Sequence, residues 1–434
     1  MKDMAGRSKR LRILIVAHAF PPMNAISSHR PYSWARFWRD KGHEIHVLTP
    51  SKHNFDGMMD LDRDLSGIRV CEVPYLPMRA NRPDTVPTGT HSAVGQWEWL
   101  KRITRGARLS LAMFGDPRLL AYGPLVRKGT DIMREAQFDF IIATSPPEVV
   151  FFVARTLSRR TGVPWVADFR DAWFHDLRLY DDRLAASLAG PVNQWLVNNA
   201  SALVTVSRGL QQRLSSYLGQ EVFLAYNGFF ADERNADPPA RPWSDNKLHI
   251  VYTGRVYLGR QDPVPLFRTL ASLGRVHGHL AQRLSVDFYG FDMPLLRPLI
   301  EKHGVEDCVK LCGFVPYRES INVQRAADAL LFLDWAEGRG DGMLTGKLFE
   351  YLGSGRPILA LGVRKDSEAA QLIAEAGCGE TLTTDEEIEK FLLHLLSSDR
   401  LPSVGSAAQD QFSRNMQAHL LLETLTERIL SPSS

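Results

Sequence analysis

The chain has 434 residues, 44% hydrophobic and 23% charged, which is the composition of a soluble globular protein. That length exceeds one ordinary domain and points to two of roughly 200 residues each. A net charge of +3 is too weak to argue for nucleic acid, and no run reaches the ~20 apolar residues of a membrane span.

The N-terminal stretch MKDMAGRSKRLRILIVAHAFPP has an apolar core of only Leu11 to Ala17, stopped at once by His18 and Pro21-Pro22. It is expected to be a first strand behind a basic tail rather than a secretory leader. The loop that follows, His18 to Arg30, is small and polar enough to approach a ligand. In it His18 reads equally as a hydrogen-bonded core histidine. Further strand-like runs follow at Glu44–Leu48, Arg69–Val73, Phe138–Ala143, Pro164–Ala167 and Ala202–Val206.

Asp62-Arg63-Asp64 has the spacing of a metal-binding carboxylate pair, but in a polar loop and not at a strand end, which argues little for a metal. An insert, residues 79–128, carries no strand pattern. Inside it, Trp97 to Leu109 mixes tryptophans with Lys101, Arg102, Arg105 and Arg108. Such a helix could lie in an anionic membrane interface, or simply pack its apolar side on the core. After Trp165-Val166-Ala167 comes Asp168-Phe169-Arg170-Asp171: either an active-site edge or an interlocked structural salt bridge.

Phe229–Lys247 is polar and proline-containing, and marks a linker. Beyond it the strand and helix patterns alternate again, with strands expected at Leu248–Tyr252, Ser285–Tyr289, Val309–Leu311, Ala329–Leu333 and Pro357–Leu361. Two such series imply two doubly wound α/β domains with parallel sheets. After the first strand of the second series, Gly254, Arg255 and Arg260 flank a tight loop ahead of a helix expected near Pro263. Paired guanidinium groups there suit a diphosphate.

The stretch GRGDGMLTGKLFEYLGSGRP, from Gly338 to Pro357, reads as a glycine loop and a short helix starting near Lys347. Gly353 and Gly355 are expected to stop that helix. A loop of this kind can hold phosphate at the helix N-terminus, with Lys347 beside it and Glu350 on a ribose diol. Lys347 and Glu350 read equally as an exposed ion pair. The last stretch, from Ser406, has helical periodicity through Leu421, Leu422, Leu425, Ile429 and Leu430. Among the four cysteines, Cys308 and Cys312 stand four apart with no histidine or second pair, so neither zinc nor a disulfide framework is indicated, and a reducing cytoplasm is expected.

Taken together, RILIVAHAFPP, SWARFWRDKGHEIHVLT, ATSPPEVV, VPWVADFRDAW, ALVTVSRGL, YNGF, YTGRVYLGRQDP, GFVPYRES and TGKLFEYLGSGRPIL resemble, in their order, a family 4 glycosyltransferase. The resemblance runs from about Leu11 to Leu425. It implies the GT-B fold, with two Rossmann-like domains facing across a cleft. Residues 1–230 would bind the acceptor and 231–405 a nucleotide-sugar donor, while 406–434 would return to the first domain. The family transfers the sugar with retention and without a metal or other cofactor. Arg255 matches the family arginine, Arg260 stands near a position where lysine is commoner, and Glu350 matches the second motif glutamate. Gly313, Phe314, Val315, Thr345, Gly346 and Lys347 fall in the donor-binding stretches. The first motif glutamate is replaced by Gly342. The usual Gly-Gly is replaced around Asn24-Ala25, with Ser27 and Ser28 nearby; with His18 and Arg30 these form the acceptor side. Asp168, Arg170 and Asp171 stand where relatives carry a histidine.

These departures resemble bacterial cell-surface polysaccharide transferases, whose acceptor is a glycan or a lipid-linked sugar. The expected location is the cytoplasm, peripheral on the membrane through residues 97–109. A nucleotide-sugar epimerase and a catalytically silent nucleotide-sugar binder are the alternatives.

Overall fold

The computed structural model describes residues 9–53, 56–75, 117–171, 191–237, 239–291, 293–335, 344–397 and 409–430. The basic segment at 97–109, Gly342 and most of the glycine loop lie outside these. The chain divides into two compact units. One comprises residues 1–206, 210–225 and 418–434, the other residues 207–209 and 226–417.

The first unit holds a seven-stranded sheet built from β1 (Arg12–Ala17), β2 (Glu44–Pro50), β3 (Ile68–Val73), β4 (Phe140–Ser145), β5 (Trp165–Phe169), β6 (Ala202–Thr205) and β7 (Val222–Leu224). Its order is β3-β2-β1-β4-β5-β6-β7, and every pairing is parallel. Helices cover the sheet, so the inner strands are buried over nearly their whole length, which is why they read as continuous Val/Ile/Leu runs. Behind β1 lies the helix Ile26–Asp40, where Trp34 and Trp38 stack at 5.9 Å and are almost fully buried. The indole Nε1–H of Trp38 donates to the Ala418 carbonyl (2.9 Å), which anchors the last helix, Arg414–Leu425, to this unit. Leu421, Leu422 and Leu425 of that helix are buried, as the periodicity predicts.

The second unit repeats the plan with six strands: β8 (Leu248–Thr253), β9 (Leu284–Tyr289), β10 (Val309–Gly313), β11 (Ala329–Leu333), β12 (Ile358–Leu361) and β13 (Gly379–Leu382). The order β10-β9-β8-β11-β12-β13 reverses direction between β8 and β11. Ligands settle at such a reversal, outside the carboxyl ends of the strands. Two short strands, β7 and β13, carry no sequence signal of their own.

One element differs from its sequence reading. The helix after β11 runs Gly346–Ser354, so Gly353 lies inside it. Only Gly355, at φ 73°, adopts the left-handed turn that ends it. Gly353 is there for space: the ring of Phe229 occupies the place a Cβ would take.

Candidate functional site

At the reversal of the second sheet, the end of β8 meets the start of helix Gly346–Ser354. Thr345 is its N-cap residue, with extended backbone; its hydroxyl makes no capping bond and is enclosed without a partner. No side chain caps the start of this helix, an arrangement that favours an anion.

Lys347, in the first turn, turns back toward β8. Its Nζ lies 3.7 Å from the centre of the Tyr252 ring. The neighbouring Gly254 leaves room for it, since a Cβ at Gly254 would stand only 3.2 Å from Nζ. No carboxylate salt bridge reaches this ammonium among the described residues. Burial lowers its pKa from 10.5 to about 7, against which Glu350 pulls weakly upward. The ammonium thus lies against a ring at the start of a helix.

Glu350 stands one turn on and faces elsewhere. Gln324, on the helix Tyr317–Ala326, donates its side-chain N–H to Glu350 Oε2 (3.3 Å) and to the Thr253 hydroxyl (3.0 Å). Thr253 in turn donates its backbone N–H to Tyr351 Oη (2.9 Å). Burial raises the Glu350 carboxyl to about 7 despite the Gln324 bond. Around it lies a small pocket lined by Phe230, Glu233, Tyr317, Gln324 and Arg414 among others. Lys347 and Glu350 are thus not the exposed ion pair that their spacing allows.

The remaining donor-side candidates hold together through main chain. Gly254 N–H donates to Tyr289 O (2.8 Å) and Gly290 N–H to Gly313 O (2.7 Å), so the loops after β8, β9 and β10 form one ledge. Arg255 is exposed on that ledge, Phe314 is exposed and Val315 half-buried. Arg260 lies over the Trp335 ring at 5.0 Å, on the β11 side of the same edge. Its neighbour Gln261 is buried and bonds Leu333 O (2.7 Å), so it braces the loop.

In the first unit the structure encloses several of the candidate residues. Asp168 is fully buried: Arg30 Nη2 donates to one oxygen (2.7 Å), Arg30 Nε and the Thr144 hydroxyl to the other (3.0 and 2.7 Å). Arg30 is equally buried and also donates to Ala225 O (2.8 Å). This pair fits the interlocked salt bridge that the sequence offered as one reading of Asp168. Ser28 is likewise enclosed. His18 is 2% exposed and bonded to Asp56 (3.0 Å); burial lowers its pKa against the pull of that carboxylate. It is a core histidine. Arg170 is half-buried and donates to Pro146 O (2.6 Å), while Asp171 is exposed. Asn24, bonded to Asp60 (2.9 Å), and Ser27 keep partial exposure at the start of helix Ile26–Asp40.

Sequence reasoning missed Gln324, Tyr252 and Tyr351, which nothing but the fold brings to the site. It also missed Lys52, whose ammonium bonds Thr49 and Pro50 (2.6 Å each) beneath His18 and is lowered by burial to about 8.

Residues 28–222 match the model of the glycosyl transferase 4-like domain. No curated protein sequence matches the chain. Among solved structures, sucrose-phosphate synthase from Thermosynechococcus elongatus is similar with a TM-score of 0.57 at 12% identity, covering 98% of this chain and 100% of that one. The apo form of the lipopolysaccharide outer core galactosyltransferase WaaB gives 0.52 at 14% identity, covering 98% and 100%. A UDP-N-acetylglucosamine 2-epimerase gives 0.53 at 13% identity, covering 98% of each chain. At such identities the likeness is one of fold, and with two parallel sheets of seven and six strands that fold is GT-B.

Proposed function

We propose that this glycosyltransferase family 4-like protein moves a sugar, with retention at the anomeric carbon, from a nucleoside-diphosphate donor to a glycan or lipid-linked acceptor. One observation carries the reading. A single helix start presents a lysine that no carboxylate salt-bridges among the described residues and, one turn later, a carboxylate held by Gln324, both displaced to a pKa of about 7. A nucleoside diphosphate supplies what each is short of: phosphate charge for Lys347 and ribose hydroxyls for Glu350.

In this reading the reaction proceeds through an oxocarbenium-like transition state as the diphosphate departs. Lys347, Arg255 and the amides at Gly346 stabilise the growing negative charge, with no metal required. Of the three residues at the β5 edge, Asp171 and Arg170 stay as catalytic candidates, and Asn24 and Ser27 stay on the acceptor side. A role in cell-surface polysaccharide synthesis, in the cytoplasm and at the membrane surface, follows from the sequence resemblance. No described helix is long and apolar enough to cross a membrane.

The test is product analysis after incubation with a panel of nucleotide sugars and acceptors. Transfer supports the proposal. Interconversion of the donor sugar without transfer would instead support an epimerase, a reading favoured by the fold likeness to UDP-N-acetylglucosamine 2-epimerase. Binding without any turnover would mark a silent nucleotide-sugar binder.

A further inference from the structure

Gln324 is 1% exposed, too enclosed to meet a ligand, and its amide is matched at one end only. Nε2 lies within hydrogen-bond reach of three oxygens: Thr253 Oγ1 (3.0 Å), Ser320 Oγ (3.3 Å) and Glu350 Oε2 (3.3 Å). The amide oxygen Oε1 is buried and accepts nothing among the described residues. A methionine of similar shape would fill this place without burying an unmatched acceptor, so a glutamine here is explained by its N–H groups. Thr253 and Ser320 are neutral hydroxyls; Glu350 carries the charge that makes such a bond strong.

Among the described residues, Gln324 is the one side chain that donates to Glu350. Of the charged groups around that carboxyl, Glu233 on the helix Ala231–Asn235 opposes its ionisation, while Arg414 and Lys347 favour it. Glu233 itself accepts the Tyr317 hydroxyl (3.0 Å), and Arg414 lies over the Phe230 ring (4.9 Å). Arg234 and Arg325 line the same small pocket, the first paired with Asp410 and the second donating to Ala236 O. A second tie runs through Thr253, which bonds the Gln324 amide by its hydroxyl and Tyr351, the neighbour of Glu350, by its N–H. The end of β8 and the helices Tyr317–Ala326 and Gly346–Ser354 are thus fastened to one another beside the carboxylate.

We propose that Gln324 is a positioning residue of donor binding: it holds Glu350 in place and in the ionised form that accepts the ribose hydroxyls. This inference rests on the ribose role proposed above for Glu350 and adds the residue that sustains that role near neutral pH. Glu350 is half-buried and within reach of a ligand, so Gln324 acts through it. Burial pushes the carboxyl toward its neutral form, Glu233 adds to that push, and the Gln324 N–H opposes both. Without this N–H the proton is held more tightly, and acceptance of the ribose hydroxyls is confined to higher pH.

The experiment is calorimetric titration of the full chain at a series of pH values with whichever of UDP, GDP and ADP it binds, and separately with inorganic diphosphate. In Gln324→Met the carboxyl should ionise about one pH unit higher. Nucleotide affinity relative to the parent then falls about 10-fold on the acid side and returns toward the parent's on the alkaline side. Diphosphate affinity should follow the parent's throughout. In a Glu350→Gln background the same substitution should add no pH-dependent loss. A deficit equal at every pH, or one that persists in that background, overturns the proposal and leaves Gln324 a packing residue. If Gln324→Met does not fold, Thr253→Val removes the amide's other anchor and should move the acid limb in the same direction. An unmoved limb there overturns the proposal. A parent chain that binds no nucleoside diphosphate at any pH removes the donor site itself.

Discussion

The guanidinium of Arg30 grips the carboxylate of Asp168 across 138 residues of sequence, with neither group exposed to solvent. The pair joins the first turns of helix Ile26–Asp40 to the end of β5, and Thr144 on β4 completes it. Removing one partner of a buried pair leaves an uncompensated charge, at a cost of about 3–5 kcal/mol. Asp168→Ala is therefore expected to lower the melting temperature steeply. A catalytic Asp168 would give the opposite pattern, with turnover lost at an unchanged melting temperature; thermal melts beside activity assays distinguish the two.

Glu350→Ala is expected to weaken nucleoside-diphosphate binding by about 1.5–3 kcal/mol, the value of a hydrogen bond to a charged group. Glu350→Gln keeps the shape and loses only part of that. Titration calorimetry on the folded variants reads the effect, and equal affinity in parent and alanine variant would remove the ribose assignment.

The pH dependence has a defined sign. Glu350 is raised from 4.5 to about 7, so its contribution to stability is full below 4.5 and is lost as pH rises through 7. Lys347 is lowered from 10.5 to about 7, so its contribution is full above 10.5 and is lost as pH falls through 7. Ligand binding wants the opposite forms, an ionised Glu350 and a protonated Lys347. Nucleotide affinity should thus be highest near pH 7. Lys347→Met should flatten the alkaline limb and Glu350→Gln the acid limb; a profile unaltered by both substitutions contradicts the assignment.

Lys347→Ala and Arg255→Ala should reduce turnover more than they weaken binding of the free nucleoside, since both act on charge that grows as the diphosphate leaves. Steady-state kinetics beside nucleoside titrations give the comparison. Activity should survive EDTA; loss restored by a divalent ion would overturn the metal-free route.

Gly353→Ala should destabilise the second unit, although alanine normally favours a helix by about 1 kcal/mol. The Phe229 ring fills the space, and overpacking costs about 1–3 kcal/mol. A denaturant midpoint at or above the parent's would show that the ring yields.

The inner strands were legible because parallel strands buried on both faces need unbroken apolar runs, as in Ile13 to Ala17 and Ala329 to Leu333. The edge strand β13 was not, since Glu380 faces water and Gly379 starts it. The roles of Asp168 and His18 were open in sequence because their partners, Arg30 and Asp56, come from distant segments. The same limit hid the divergence of Lys347 and Glu350, which depends on Tyr252 and Gln324 from other elements. Gly353 misled because a glycine near a helix end usually signals termination, whereas here it makes room for a ring.

The tie between Trp38 and Ala418 also orders events during synthesis. The second unit is, but for Ser207–Gly209, one continuous stretch ending at Gln417, while the first needs residues 418–434 that emerge after it. On the ribosome, the second unit can thus complete its core first. The half that began earlier waits with Trp38 unpaired until the tunnel releases the last helix.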